Sequence, residues 1–178
     1  MDGWPGRRLP RAKWSAWALE RAPLENLKAP GECEVLMAPG GLVLEGCVTN
    51  FFVITASGGG SDATLQTSGE DVLPGLIREE VLAMAPGLGL AVDLSPPRLD
   101  EAEVWQEAFV TSCVRLVQPV SSLRRLLPDG SGTGEVRIRA DRGPWTQRIS
   151  EQLQEKLRTS VQNESLLNRG FAARETSH

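Results

Sequence analysis

A mixed α/β domain, with strands and helices interspersed around one core, is the fold class the sequence predicts. Three observations predict it. Short β-branched and aromatic runs such as residues 51–55 are bounded by glycine-rich turns. An apolar stripe at helical spacing runs from Leu76 through Ile77, Val81 and Leu82 to Ala85. The length of 178 residues suits one well-buried domain.

Taken in order, Trp14, Trp17, Ala18, Leu24 and Leu27 are spaced for a short helix ending near Arg21, with Pro23 interrupting and an irregular turn after it. Residues 33–37 and 42–44, joined by Ala38-Pro39-Gly40-Gly41, predict a β-hairpin. A strand over 51–55, a turn over 57–62 and a return strand over 64–67 follow. Pro74-Gly75 precedes the helix over 76–85. Beyond it come a strand over 90–94, an acidic short helix over 99–105 and a strand over 108–111. Residues 116–123 are expected to continue the sheet through Pro119. A turn over 128–134, an edge strand over 135–138 and a helix over 144–157 with proline in its first turn complete the core. The polar residues 158–178 are expected to fray as a tail.

Composition excludes several functions. Hydrophobic residues at 40% and charged residues at 24% belong to a globular chain, not to a disordered or collagen-like one. A formal net charge of -4 leaves no basic footprint for nucleic acid or an anionic membrane surface. No apolar run is long enough to span a bilayer, and the N-terminus has no apolar stretch of the secretory kind. Cys33, Cys47 and Cys113 lack the spacing of a zinc site or disulfide framework, so a reducing intracellular compartment is expected, cytoplasmic or organellar, with plastid and mitochondrion both open. His178 is the single histidine and tyrosine is absent. Histidine-based nucleophilic catalysis is thereby removed, and any general acid or base must be a lysine, a carboxylate or a thiol.

Three segments carry candidate chemistry. Glu45 stands in Leu44-Glu45-Gly46-Cys47-Val48-Thr49-Asn50, between a hairpin and a strand. A carboxylate there is expected to be semi-buried, and on residue physics alone a hairpin-edge acid beside the tight Gly46 turn outweighs a functional carboxylate. Gly75 opens the helix at Leu76, where free N–H groups and the helix dipole favour an anion; an ordinary Pro-Gly turn reads the same way. Phe109-Val110-Thr111-Ser112-Cys113 ends a strand in small polar residues, which either present further N–H donors or form a plain turn.

Together and in this order, the segments resemble three motifs of class IV (fold type IV) aminotransferases, the group of branched-chain and D-amino-acid aminotransferases and aminodeoxychorismate lyase. The likeness runs from about Pro10 to about Leu157. Glu45, Gly46 and Asn50 match a Glu-Gly-x-x-x-Asn motif, and Leu73 to Arg78 match a Leu-Pro-Gly-x-x-Arg phosphate motif. Lys13 lies a little over thirty residues before Glu45, the place of the family's lysine, and Ala12-Lys13-Trp14-Ser15-Ala16-Trp17 looks most like plant-type members. Gly143-Pro144-Trp145-Thr146 resembles the family's closing segment.

The resemblance implies the large C-terminal domain of the D-amino-acid aminotransferase-like fold, a mixed sheet or pseudo-barrel with flanking helices. It implies pyridoxal 5'-phosphate as cofactor, an amino acid or keto acid as substrate, and a homodimer. Implied roles are Schiff-base chemistry and proton transfer for a desolvated Lys13, and a ring-nitrogen partner in Glu45, which Asn50 accompanies. The phosphate would be gripped through Gly75, Leu76 and Ile77 and through Ser112 and Cys113. Many members carry threonine at the positions of Ile77 and Cys113, so backbone donors are what remain there. Residues 1–12 are expected to be the remnant of an interdomain linker, 13–157 the cofactor domain and 158–178 a tail, in a truncated form that lacks the family's small domain. Transamination is the leading expectation; lyase chemistry and a catalytically inactive binding module are the alternatives. Lys13, Glu45 and the start of the helix at Leu76 are expected to meet in one pocket.

Overall fold

Strand β1 (Asn50–Ala56) has no face free for water, and the whole architecture follows from covering both of its sides. The computed structural model describes residues 7–56, 63–126, 132–138 and 143–175. The turn expected over 57–62 lies outside the described residues, as does most of the one over 128–134.

β1 pairs antiparallel with β2 (Ala63–Gln66) on one side and with β4 (Glu107–Ser112) on the other. Helix α3 (Leu76–Met84) carries the chain over to β3 (Leu90–Asp93), which lies parallel to β2. A parallel neighbour requires such a crossover, since a tight hairpin reverses the chain. With β5 (Leu116–Pro119) antiparallel to β4, the mixed sheet runs β3-β2-β1-β4-β5.

Alternation along β1 builds two cores. Phe52 and Ile54 point to one face, where they pack with Ile77 and Val81 of α3 and with Ile149 and Leu153 of α4 (Pro144–Glu175). Phe52 stacks on Phe109 at 4.9 Å between ring centroids. Phe51 and Val53 point the other way and meet Val43, Trp105, Val110 and Ile138. A smaller cluster of Trp17, Leu24, Met37 and Cys47 lies under two single-turn helices, α1 (Trp17–Glu20) and α2 (Ala22–Glu25).

Four sequence expectations need correction. The single helix near Arg21 is two, because Pro23 occupies the first turn of α2, where its missing N–H costs nothing, and so starts a helix instead of interrupting one. The hairpin over 33–44 is reduced to an isolated Leu36–Gly46 bridge and a few backbone bonds such as Leu44 N–H to Met37 O at 2.9 Å. Residues 116–123 do not stay in one sheet. β5 ends at Pro119, and the chain re-enters as β6 (Ser122–Leu126), which pairs with β7 (Gly132–Arg137) in a separate two-stranded sheet. The last bond to β4 runs from the Val120 N–H to Ala108 O at 2.8 Å, and Ser121 O then accepts from the Ile138 N–H at 2.8 Å, which hands the chain to the second sheet. Finally, α4 does not stop near Leu157; it continues as helix to Glu175, through residues expected to fray. That stretch holds no proline, and Arg158, Gln162, Glu164, Leu166, Leu167, Arg169, Ala172, Ala173, Arg174 and Glu175 are helix formers, so propensity allows the helix to continue.

A buried carboxylate anchors α4. Glu107, at the start of β4, accepts hydrogen bonds from the Trp145 N–H (3.1 Å), the Thr146 N–H (2.7 Å) and the Thr146 hydroxyl (2.6 Å). These are orphan donors of a helix N-terminus, and a carboxylate there also meets the positive end of the helix dipole. Gly143 has to be glycine for this fit, because a Cβ would collide with the Glu107 carboxylate. Among the described residues, no helix is long and apolar enough to cross a membrane.

Candidate functional site

At the end of β1 where the chain enters from the hairpin, three segments converge on an open cleft of about 890 Å³. Glu45 reaches it through a tight turn in which the Gly46 N–H donates to Thr49 O at 2.7 Å, bringing Glu45 back against Asn50 as an isolated antiparallel bridge. A side chain at Gly46 would collide with Thr49 Oγ1, so the glycine permits the turn. Asn50 then opens β1. Its amide donates to Leu73 O at 2.7 Å and, more weakly, to Glu45 Oε2 at 3.5 Å, tying the first segment to the second.

The second segment is the start of α3. Gly75 is its N-cap residue, in extended conformation, and no side chain caps the helix. First-turn amides of an α-helix have no intrahelical acceptor, so those at Leu76 and Ile77 are available to a ligand. Asn50 Oδ1 lies so close to Gly75 that a Cβ there would collide with it. Arg78, six residues into the Leu-Pro-Gly motif counted from Leu73, turns away from this corner. Its guanidinium donates to Ser68 O at 2.8 Å and to Glu79 at 2.6 Å, which fixes the turn before the helix. The third segment is the end of β4, where Thr111, Ser112 and Cys113 complete the wall.

Glu45 is the electrostatic centre of the cleft. It is 2% exposed, buried further than the semi-buried hairpin-edge acid expected from the sequence. Burial pushes its carboxyl up to about 7; the Leu73 N–H, at 2.9 Å from Oε2, and the charges of Arg7 and Arg78 pull it down only in part. Oε2 thus has donors, whereas Oε1 is buried with no hydrogen-bond partner and has only the Arg7 guanidinium at 3.6 Å. Arg7 itself stacks over the Trp17 ring at 4.9 Å.

Lys13, Glu45, Asn50, Gly75, Leu76, Ile77, Ser112 and Cys113 all line this one cleft. Lys13 differs from expectation in being exposed, not desolvated, and no hydrogen bond or ion pair ties its amine among the described residues. Two of the lining residues that sequence reasoning passed over bear on the chemistry of the cleft. Arg7 carried no signal beyond its place in a basic N-terminal stretch. Thr111 was legible, since strand alternation puts it on the same face as Phe109. Arg7 pairs with Glu45, while Arg21, Arg78 and Arg115 also line the cleft but are paired with Glu25, Glu79 and Glu34; among the described residues Arg11 and Lys13 are the lining cations without an ion pair, and these two are left to attract an anion. Trp14, Val48, Leu76 and Val114 are exposed apolar side chains on the rim.

Residues 3–123 match the class IV aminotransferase family, and the chain belongs to it. Solved structures with the same fold include the branched-chain amino acid aminotransferase from Escherichia coli, 24% identical over 68% of this chain and 37% of that one, with a TM-score of 0.54. The branched-chain aminotransferase from Thermoproteus uzoniensis with norvaline is 23% identical over 84% of this chain and 48% of that one, with a TM-score of 0.60. The enzyme from Thermobaculum terrenum in its PLP-form is 19% identical over 82% and 44%, with a TM-score of 0.61. The chain therefore spans less than half the length of these structures. No curated protein matches it.

Proposed function

We propose that this chain forms the cofactor half of a pyridoxal phosphate-dependent aminotransferase acting on amino acids and keto acids. One observation carries the reading: a buried carboxylate oxygen, Glu45 Oε1, lacks a donor in a cleft that also holds an unpaired amine and an uncapped helix N-terminus. These are the three groups a phosphorylated pyridine aldehyde requires, so the residues present fit it. When bound, the cofactor supplies an aldehyde that reacts with amines and a ring that accepts electrons from the substrate's α-carbon.

The chain's own residues do the rest. Lys13 offers its amine as the anchoring nucleophile and then as the base that moves a proton at the substrate carbon. Glu45 Oε1, the oxygen without a donor, would hold the ring nitrogen, and the nitrogen's positive charge would in turn favour the ionised carboxyl. Asn50 holds the Glu45 carboxylate and the Leu73 carbonyl in one register. The amides at Leu76 and Ile77 would hold the phosphate at the positive end of α3, and the Cys113 backbone would add to them. The cations Arg11 and Lys13, without an ion pair among the described residues, favour substrates that bring a carboxylate. The same groups would also serve a lyase, and the homodimer implied by the family stays part of this reading.

Incubation with pyridoxal phosphate followed by borohydride is expected to leave a phosphopyridoxyl mass on the peptide carrying Lys13, and Lys13→Ala is expected to abolish it. Absence of label in the wild-type chain, or label spread over other lysines such as Lys28 and Lys156, would overturn the reading. Keto acid formation from an amino acid, measured with and without an added keto acid acceptor, separates transamination from elimination.

A further inference from the structure

Thr111 is 1% exposed, and its hydroxyl has no hydrogen-bond partner among the described residues. Such a group normally finds one, so an unpaired buried hydroxyl that lines a cleft points to a ligand. Its position specifies which part of the ligand. Phe109, two residues earlier on β4, packs in the cluster that contains Ile77, so Thr111 lies on the face of the sheet that α3 covers. Directly across the ladder stands Asn50, and the Asn50 side-chain oxygen lies against Gly75. Thr111 and the uncapped first turn of α3 therefore flank the same corner.

The other hydroxyls of the cleft are differently engaged. Thr49 Oγ1 donates to Glu34 at 2.9 Å, Ser112 Oγ accepts from the Arg115 N–H at 3.1 Å, and Ser15 is exposed. Ile77 and Cys113, beside the amides, have no hydroxyl at all.

We propose that the Thr111 hydroxyl is a phosphate ligand, donating from β4 to a phosphate oxygen held on its other side by the amides of α3. This assignment rests on the cofactor reading above and adds the side-chain donor that reading lacks. Hydrogen bonds to charged groups set the expected size, roughly 10- to 100-fold in affinity.

The test compares pyridoxal phosphate with pyridoxal, which lacks the phosphate, by equilibrium dialysis against the full chain and two variants. Thr111→Val keeps the shape and removes the hydroxyl; it is expected to weaken pyridoxal phosphate by roughly 10- to 100-fold and to leave pyridoxal unchanged. Thr111→Ser is expected to restore the phosphate-dependent part. An equal loss for both ligands would make Thr111 a structural residue, and no loss for either would make its hydroxyl irrelevant; each outcome overturns the proposal while leaving the cofactor reading in place. If the wild-type chain binds neither ligand, the cofactor reading fails with it.

Discussion

Unfolding of the cofactor-free chain in urea is expected to become easier as the pH rises from 4.5 to about 7, and Glu45→Gln is expected to remove most of that loss. In the unfolded chain Glu45 gives up its proton near 4.5; in the folded chain burial holds the proton until about 7. Between those limits the folded state binds more protons than the unfolded one, so stability falls as pH rises. The favourable contribution is complete below 4.5 and gone above about 7, and the shift corresponds to up to about 3 kcal/mol. Glu32 titrates on the other side of this window: the Arg124 guanidinium beside it holds its carboxyl at about 2, so its contribution disappears only as pH falls below the usual carboxylate range. Midpoints measured every half unit across the window decide the matter. An unchanged slope in Glu45→Gln would show that some other group is being titrated.

Glu107→Ala is expected to cost about 3 kcal/mol, because three donors at the start of α4 lose a charged acceptor at once. The Thr146 donors are buried and water cannot replace the carboxylate fully, so the penalty should exceed that of an exposed cap. Gly143→Ala approaches the same contact from the opposite side by inserting a methyl group into it. Both variants are expected to lower the urea midpoint and to speed hydrogen exchange at the Trp145 and Thr146 amides. Native exchange at those two amides in Glu107→Ala would show that the carboxylate does not anchor the helix.

The sequence was most readable where a run of apolar residues ended in an unmistakable turn. β1, β2, α3, β3 and β4 each begin and end close to their expected limits, since two-residue and 3.6-residue periodicities are local properties. Reading failed where a distant partner decides. The change of sheet after Pro119 depends on β7, which lies beyond the next turn, and the length of α4 depends on nothing stopping a polar helix. The cleft divides in the same way. Glu45, Asn50 and Gly75 were singled out because their segments together resemble the family's motifs, since residue by residue a hairpin-edge acid and an ordinary Pro-Gly turn were the readings favoured; the burial of Glu45 comes from Leu73 and Arg7, far along the chain. Thr111 was passed over for its neighbours Ser112 and Cys113, although the alternation that buries Phe109 buries Thr111 as well.

β4 is gripped by α4 at Glu107 and forms the cleft wall at Thr111 and Ser112, six residues in all and on the order of 17 Å from end to end. One short span thus joins the foot of the longest helix to the corner where an anion would rest.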